Sequence, residues 1–189
     1  MTFVSKQLNS IDEQLSAWIS RQRIFFVATA PLSEEGRINC SPKGGDSFRV
    51  LSPLSSAYQD YTGSGAETAA HLRENGRIVV MFCAFEGKPD VVRLHGHGEV
   101  FTPGQPKFEE LSAHFPPNPG ARAIVHIQID RVSTSCGYSV PLFEFRDNRD
   151  ILDKWAIAMG EEKLTEYRAT KNSVSIDGLP ALMNTGELK

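Results

Sequence analysis

The chain has 189 residues, of which 40% are apolar and 23% charged, a composition that suits a single globular domain with a real core and excludes a disordered or fibrous chain. A net charge of −3 provides no broad basic field and argues against a nucleic-acid binder. Cys40, Cys83 and Cys136 are odd in number and far apart, so they read as reduced, mostly packed thiols rather than a disulfide framework or a zinc site.

Polar Ser5, Lys6, Gln7 and Asn9 stand where a signal peptide needs an apolar run, and no later stretch has the length of a membrane span. The expectation is a cytoplasmic protein without a membrane partner. Ser10-Ile11-Asp12-Glu13 has the form of a capping box, and Ile11, Leu15, Trp18 and Ile19 follow at helical spacing, which predicts a short outer helix. From Ile24 the pattern turns to β: a strand over Ile24 to Ala30, a turn over Pro31 to Gly36 and a strand from Arg37 to Cys40 make a hairpin. Two more strands, Phe48 to Leu51 and Ala57 to Tyr61, flank a turn at Pro53.

Thr62-Gly63-Ser64-Gly65 then leads into a helix over Glu67 to Glu74, stopped by Asn75-Gly76. Arg77 to Phe85 reads as a fully buried strand. Val91 to Phe101 reads as another, where Gly96 and Gly98 suggest a bulge or the close approach of a ligand. A short helix from Pro106 precedes the Pro116-to-Gly120 break, and Ala123 to Val132 alternates as a half-buried strand. Helices near Asp150 to Met159 and Glu161 to Ala169 come before a tail from Lys171. About six strands joined by hairpins, with short helices around them, predict a mainly β (α+β) small barrel and disfavour a doubly wound fold.

The glycine loop is the segment richest in chemistry. Gly63 and Gly65 let backbone N–H groups approach an anion, the helix start favours negative charge, and Thr62, Ser64 and Thr68 add hydroxyls, so phosphate is the natural guest. Equally, Ser64-x-x-Glu67 can be a plain capping box. Neither a P-loop nor a Gly-x-Gly-x-x-Gly fingerprint is present. Upstream, Ser41-Pro42-Lys43-Gly44-Gly45 and Arg49 can face the same ligand.

The order of Ile24-Phe25-Phe26-Val27-Ala28-Thr29, Asn39-Cys40-Ser41-Pro42-Lys43-Gly44, Asp60-Tyr61-Thr62-Gly63-Ser64-Gly65 and Arg93-Leu94-His95-Gly96 resembles the pyridoxamine 5'-phosphate oxidase-like FMN-binding split-barrel family, over roughly Trp18 to Val132. The resemblance implies a six-stranded split β-barrel as a single domain over 1–189, with a core at about 18–132 and a C-terminal helical elaboration at about 133–189. It implies FMN as cofactor, a homodimer with the site between two chains, and a small-molecule substrate. Ser41, Lys43, Gly44 and Arg49 are then placed near the flavin, and Tyr61, Thr62, Ser64, Gly65, Glu67 and Thr68 near its phosphate end. Arg93 matches the strand that contacts the ring. The family's oxidases carry basic residues at the start of the helix, where this chain has Glu67 and Thr68, and their basic Arg-x-His substrate signature is missing. The implied activity is therefore a flavin-dependent oxidase or reductase of unassigned substrate. The rivals are a flavin sensor or carrier without turnover, and a split barrel that holds haem or a deazaflavin.

Other residues read as structural. His95 and His97 share one strand face, yet no third ligand lies near in sequence, so no metal site is expected. His71, His114 and His126 read as helix-surface or strand-face groups, Cys136 as packing, and Trp155 first as core together with Ile151, Leu152 and Ile157 and second as a ring stacked on a flavin from a neighbouring subunit. No Gly-x-Ser-x-Gly elbow is present.

Overall fold

The computed structural model describes residues 6–182. In chain order these form β1 (Lys6–Leu8), α1 (Glu13–Ser20), β2 (Ile24–Thr29), β3 (Asn39–Gly44), β4 (Phe48–Ser52), β5 (Ser55–Tyr61), α2 (Glu67–Asn75), β6 (Arg77–Cys83), β7 (Asp90–Phe101), α3 (Pro106–Ser112), β8 (Ala121–Cys136) and α4 (Ile151–Lys171). The strands pair antiparallel in the order β3-β2-β6-β7-β8-β5-β4, with β1 added alongside β8. Although β3 and β4 are neighbours in sequence, they end up at opposite ends of the path. The sheet curls until those ends approach each other, which gives a split barrel.

Period-2 alternation explains the curl. Phe25 and Val27 of β2, Val80 and Phe82 of β6, Leu94 of β7 and Ile127 and Ile129 of β8 all point into one core. Phe25 meets Phe48 and Tyr58 edge to face, with ring centroids 5.2 and 5.6 Å apart, and Phe48 meets Phe82 at 5.0 Å. Edge-to-face aromatic pairs of this kind add roughly 0.5–1.5 kcal/mol each beyond their area burial, and here they join the two arms of the open sheet. On the other face of β8, Ile124 packs with Ala57, Leu111 and Phe115 beneath α3, so the polar side of the predicted alternation is covered there. Inside α4, Gly160 at φ 71° and ψ 166° breaks the helix between the two segments expected from sequence.

Several expectations change. The sheet has eight strands rather than six, the first being the short polar Lys6–Leu8. Strand β3 starts at Asn39, not Arg37, and runs on to Gly44. Asp12, not Ser10, caps α1, accepting from the Leu15 N–H at 2.7 Å. Strand β6 is not buried throughout, since Val79 and Met81 face outward half-exposed while Ile78, Val80 and Phe82 are buried. Cys40 and Cys136 are exposed, and only Cys83 is buried. Ile151 and Ile157 are exposed, while Trp155 is half-buried against Tyr167. His71 is fully buried rather than a surface group. The close approach at Gly96 is made by the backbone of β8, because a Cβ there would lie 2.0 Å from the Gln128 carbonyl oxygen. No helix among the described residues is long and apolar enough to cross a membrane.

Candidate functional site

Alternation along β3 turns Asn39, Ser41 and Lys43 toward the end of β5 and the start of α2. There Lys43 Nζ lies 2.6 Å from Asp60 Oδ1, and Arg122 Nε lies 2.8 Å from Asp60 Oδ2. Asp60 belongs to one arm of the open barrel and Lys43 to the other, so this carboxylate clasps the split. Burial by itself would raise the Asp60 pKa, but the charges and hydrogen bonds of Lys43 and Arg122 outweigh it and hold the carboxyl below 3.8. Burial, reinforced by the Asp60 charge, pushes the neighbouring Tyr58 phenol well above 10.0, so it stays protonated at neutral pH.

Beside the clasp runs a chain of polar side chains. The Ser41 hydroxyl donates to Asn39 Oδ1 at 2.7 Å, and Asn39 Nδ2 donates to Thr68 Oγ1 at 2.9 Å and to Thr29 Oγ1 at 3.2 Å. Thr29 Oγ1 in turn meets His71 Nδ1 at 2.9 Å. One amide therefore fixes three hydroxyls: Ser41 keeps its lone pairs for a donor, while the buried Thr68 hydroxyl also faces the Tyr58 phenol. The Asn-x-Ser-x-Lys spacing at 39–43 was the available sequence signal for this arrangement, but it does not single out Asn39.

Burial depresses the His71 pKa below 6.5, with nearby carboxylates opposing it less strongly. Below pH 6.5 the unfolded chain takes up a proton that the folded chain refuses, so stability falls from there down through the folded pKa. Denaturation midpoints between pH 7 and pH 5 should drop more for the wild type than for His71→Asn. Equal slopes would exclude His71 as the cause.

The glycine loop is held from three elements. Thr62 donates through its N–H and its hydroxyl to the Gly120 carbonyl at 2.7 and 2.8 Å, and Arg168 Nε of α4 donates to Thr62 Oγ1 at 2.9 Å. The Gly63 carbonyl accepts from Arg122 Nη1 at 3.1 Å and from Asn172 Nδ2 at 2.8 Å. The Thr62 hydroxyl is thus committed to the framework, whereas Ser64 and Gly65 are exposed. The Ser64 capping box is not formed: Ala66 is the N-cap of α2, without a side-chain cap, and Glu67 Oε1 accepts instead from the Ile176 N–H at 3.2 Å. Among the described residues, no side chain caps this helix start.

Lys43, Gly44 and Tyr61 also line a cleft of about 1270 Å³, together with Trp18, Arg23, Phe85, Phe143 and Phe145. Its outer wall is the extended chain before α4, pinned where Phe143 N donates to the Phe85 carbonyl at 3.0 Å and Phe145 N to Glu86 Oε1 at 3.1 Å. Six cationic side chains (Arg21, Arg23, Lys43, Lys88, Arg146, Arg149) face six carboxylates (Asp46, Glu86, Asp90, Glu144, Asp147, Asp153), so the cleft is electrically balanced.

The sequence-derived residues fall into two groups, linked by the Lys43–Asp60–Arg122 clasp. Ser41, Thr62, Ser64, Gly65 and Thr68 gather at the loop, and Lys43, Gly44 and Tyr61 gather at the cleft. Arg49 sits at the edge of the cleft, paired with cleft-lining Asp46 at 2.6 Å and stacked 5.3 Å from the Phe115 ring centroid. Arg93 lies on the outward sheet face, its Nη1 donating to Ser135 Oγ at 3.0 Å. Sequence reasoning missed Asn39, Asp60, Arg122, Arg168 and Asn172. His95 and His97 border a separate shallow groove, and no group of three or more metal-ligating side chains occurs among the described residues.

Comparison with known proteins bears on this geometry. The family model described as pyridoxamine 5'-phosphate oxidase matches residues 11–136. The curated pyridoxamine 5'-phosphate oxidase family protein ustO of Aspergillus flavus is 41% identical over 191 residues, spanning 92% of this chain and 76% of that protein. Among solved structures, HupZ of Group A Streptococcus superposes with TM-score 0.51 at 23% identity, over 65% of this chain and 91% of that one. A Lactobacillus delbrueckii protein provisionally assigned as a pyridoxamine 5'-phosphate oxidase superposes with TM-score 0.50 at 18% identity, over 66% and 94%. The two structures share the fold, and the sequence matches go further: this chain belongs to the pyridoxamine 5'-phosphate oxidase family.

Proposed function

We propose that this protein is a flavoprotein that binds FMN at a site completed by a second copy of the chain and works as an oxidoreductase on a small molecule. One observation carries the reading. An exposed Ser64-Gly65 turn at the uncapped start of α2 follows closely on cleft-lining Tyr61, and Lys43 of the same wide, aromatic-lined and electrically balanced cleft is linked to the loop through Asp60, Arg122 and the Gly63 carbonyl. Such a pairing suits a ligand with an anionic phosphate at one end and a flat, nearly neutral ring at the other.

The donor set fits. Ser64, Gly65 and Thr68 would meet the phosphate, Ser41 would accept from a ligand hydroxyl or N–H, and Lys43, Gly44 and Tyr61 would border the ring. Thr62 serves by holding the loop. Arg49 would have to leave Asp46 to take part, and Arg93, on the outward face, would serve the site of the second copy. Bound FMN supplies the redox chemistry, and this chain's residues bind, orient and shield it.

The purified protein should carry a flavin absorption spectrum, with FMN identified by mass in the released cofactor. A colourless protein that takes up neither FMN nor riboflavin would overturn the reading. Ser64→Ala should weaken FMN binding about tenfold, the order expected for one hydrogen bond to a charged group; unchanged affinity would remove Ser64 from the site. Anaerobic reduction by a nicotinamide cofactor separates a reductase from a carrier.

A further inference from the structure

The C-terminal tail after α4 folds back over the start of α2 and is held there by four independent contacts. Asn172 Nδ2 donates to the Gly63 carbonyl at 2.8 Å, and the Ile176 N–H donates to Glu67 Oε1 at 3.2 Å. Asp177 accepts from the Arg37 N–H at 2.7 Å and pairs with the Arg37 guanidinium, and Arg73 Nη1 donates to the Ala181 carbonyl at 2.8 Å. The tail is itself a tight loop closed by the Val174–Pro180 bridge and by Gly178 at φ 79°, and it plugs fully buried Ala181 among Ala66, Ala69 and Ala70.

Glu67 is the residue in need of an account. It is the acidic residue of the first turn of α2, next to the turn assigned to the phosphate, and a carboxylate beside a phosphate is repulsive. Its carboxylate lies along the loop, with Oε2 2.6 Å from where a Cβ on Gly65 would sit, and its other oxygen takes the tail's N–H. Gly65 thus leaves room for Glu67, and Glu67 holds the tail.

We infer that Glu67 is a positioning residue rather than a ligand contact. It seats residues 173–181 as a latch that, with Asn172, stiffens the Gly63-Ser64-Gly65 turn before any ligand arrives. Two glycines make that turn costly to order. A latch that orders it in advance removes the cost from binding, and binding at the phosphate end tightens accordingly. The consequence for affinity rests on the FMN reading, but the latch itself does not.

The test has two arms. In the first, amide exchange is followed in ligand-free protein. Glu67→Ala and Asp177→Asn should each speed exchange at 173–181 about tenfold or more while the β7–β8 core is unaffected. Gly65→Ala, which pushes the Glu67 carboxylate aside, should act in the same direction. Unchanged exchange in all three variants overturns the latch. In the second, FMN and riboflavin are titrated against Asp177→Asn, which loosens the tail at Arg37 without altering the loop or its neighbouring charge. FMN affinity should fall about fivefold while riboflavin, which lacks the phosphate, is unaffected. An equal fall for both ligands, or for neither, overturns the assignment to the phosphate end. If the wild type binds neither flavin, the FMN reading fails and the exchange arm alone decides the latch.

Discussion

Asp60→Ala is expected to lose roughly 3–5 kcal/mol of folding stability, the range for removing one partner of a buried ion pair. Side-chain exposure is 5% for Asp60, 6% for Arg122 and 20% for Lys43, so the substitution strands two cations where water reaches them poorly. Arg168 adds a third positive charge close by, and Arg122 already helps to lower its pKa, after burial. Denaturant unfolding should show the loss at pH 7, and the same denaturation followed down through the depressed carboxyl pKa should show wild type and variant converging. The sign follows from linkage: the ionised carboxylate stabilises above its unfolded pKa near 3.8, and the contribution disappears as the folded group protonates. Adding Lys43→Met to Asp60→Ala should recover part of the stability, because one stranded charge is gone. A loss below about 1 kcal/mol in the single variant would mean that the clasp does not hold the barrel.

None of that clasp is visible as a motif. Lys43 and Asp60 are brought together by the curl of the sheet, and Arg122 arrives from β8 at a register shift between Asp60 and Tyr61. What the sequence did reveal was local: the hairpin from Ile24, the strand–loop–helix from Ala57 to Gly76 and the two halves of α4 all follow from periodicity and from Gly or Pro punctuation. Lys6–Leu8 escaped because three residues, two of them polar, carry no period, and the strand exists only by pairing with Val132 to Thr134. Ser64-x-x-Glu67 misled for the opposite reason. Its spacing is that of a cap, yet a tail 109 residues away competes for the Glu67 carboxylate and wins. The loop residues Ser64, Gly65 and Thr68 were legible as a group because they adjoin in sequence. The groups that hold the loop in place were not, because they come from β3, β8 and α4.

Gly96→Ala is expected to cost about 3 kcal/mol or more of folding stability. A Cβ at this position would lie 2.0 Å from the Gln128 carbonyl oxygen, 2.9 Å from its carbon and 3.0 Å from Ile129 Cα, all backbone atoms of the adjoining strand. The clash falls at the register shift between His95 and Gly96, inside a pairing that runs from Asp90 opposite Cys136 to Phe101 opposite Ile124. Relief requires β7 and β8 to separate, which strains their ladder and unpacks Leu94, Ile127 and Ile129 from the core. Two residues on, Gly98→Ala crowds only side chains, the Leu72 methyls at 3.0 and 3.1 Å, with Ile78 Cγ2 at an ordinary 3.5 Å, and should cost about 1 kcal/mol. Gly63→Ala meets nothing within 4 Å and should be nearly neutral in stability. Chemical denaturation of the three variants under one condition is the check. Should Gly96→Ala prove no less stable than Gly98→Ala, the two central strands do not approach as closely as described. The same measurement bears on the site, because β8 carries Arg122: a variant whose strands part should loosen the clasp on Asp60 and, with it, the support beneath Gly63.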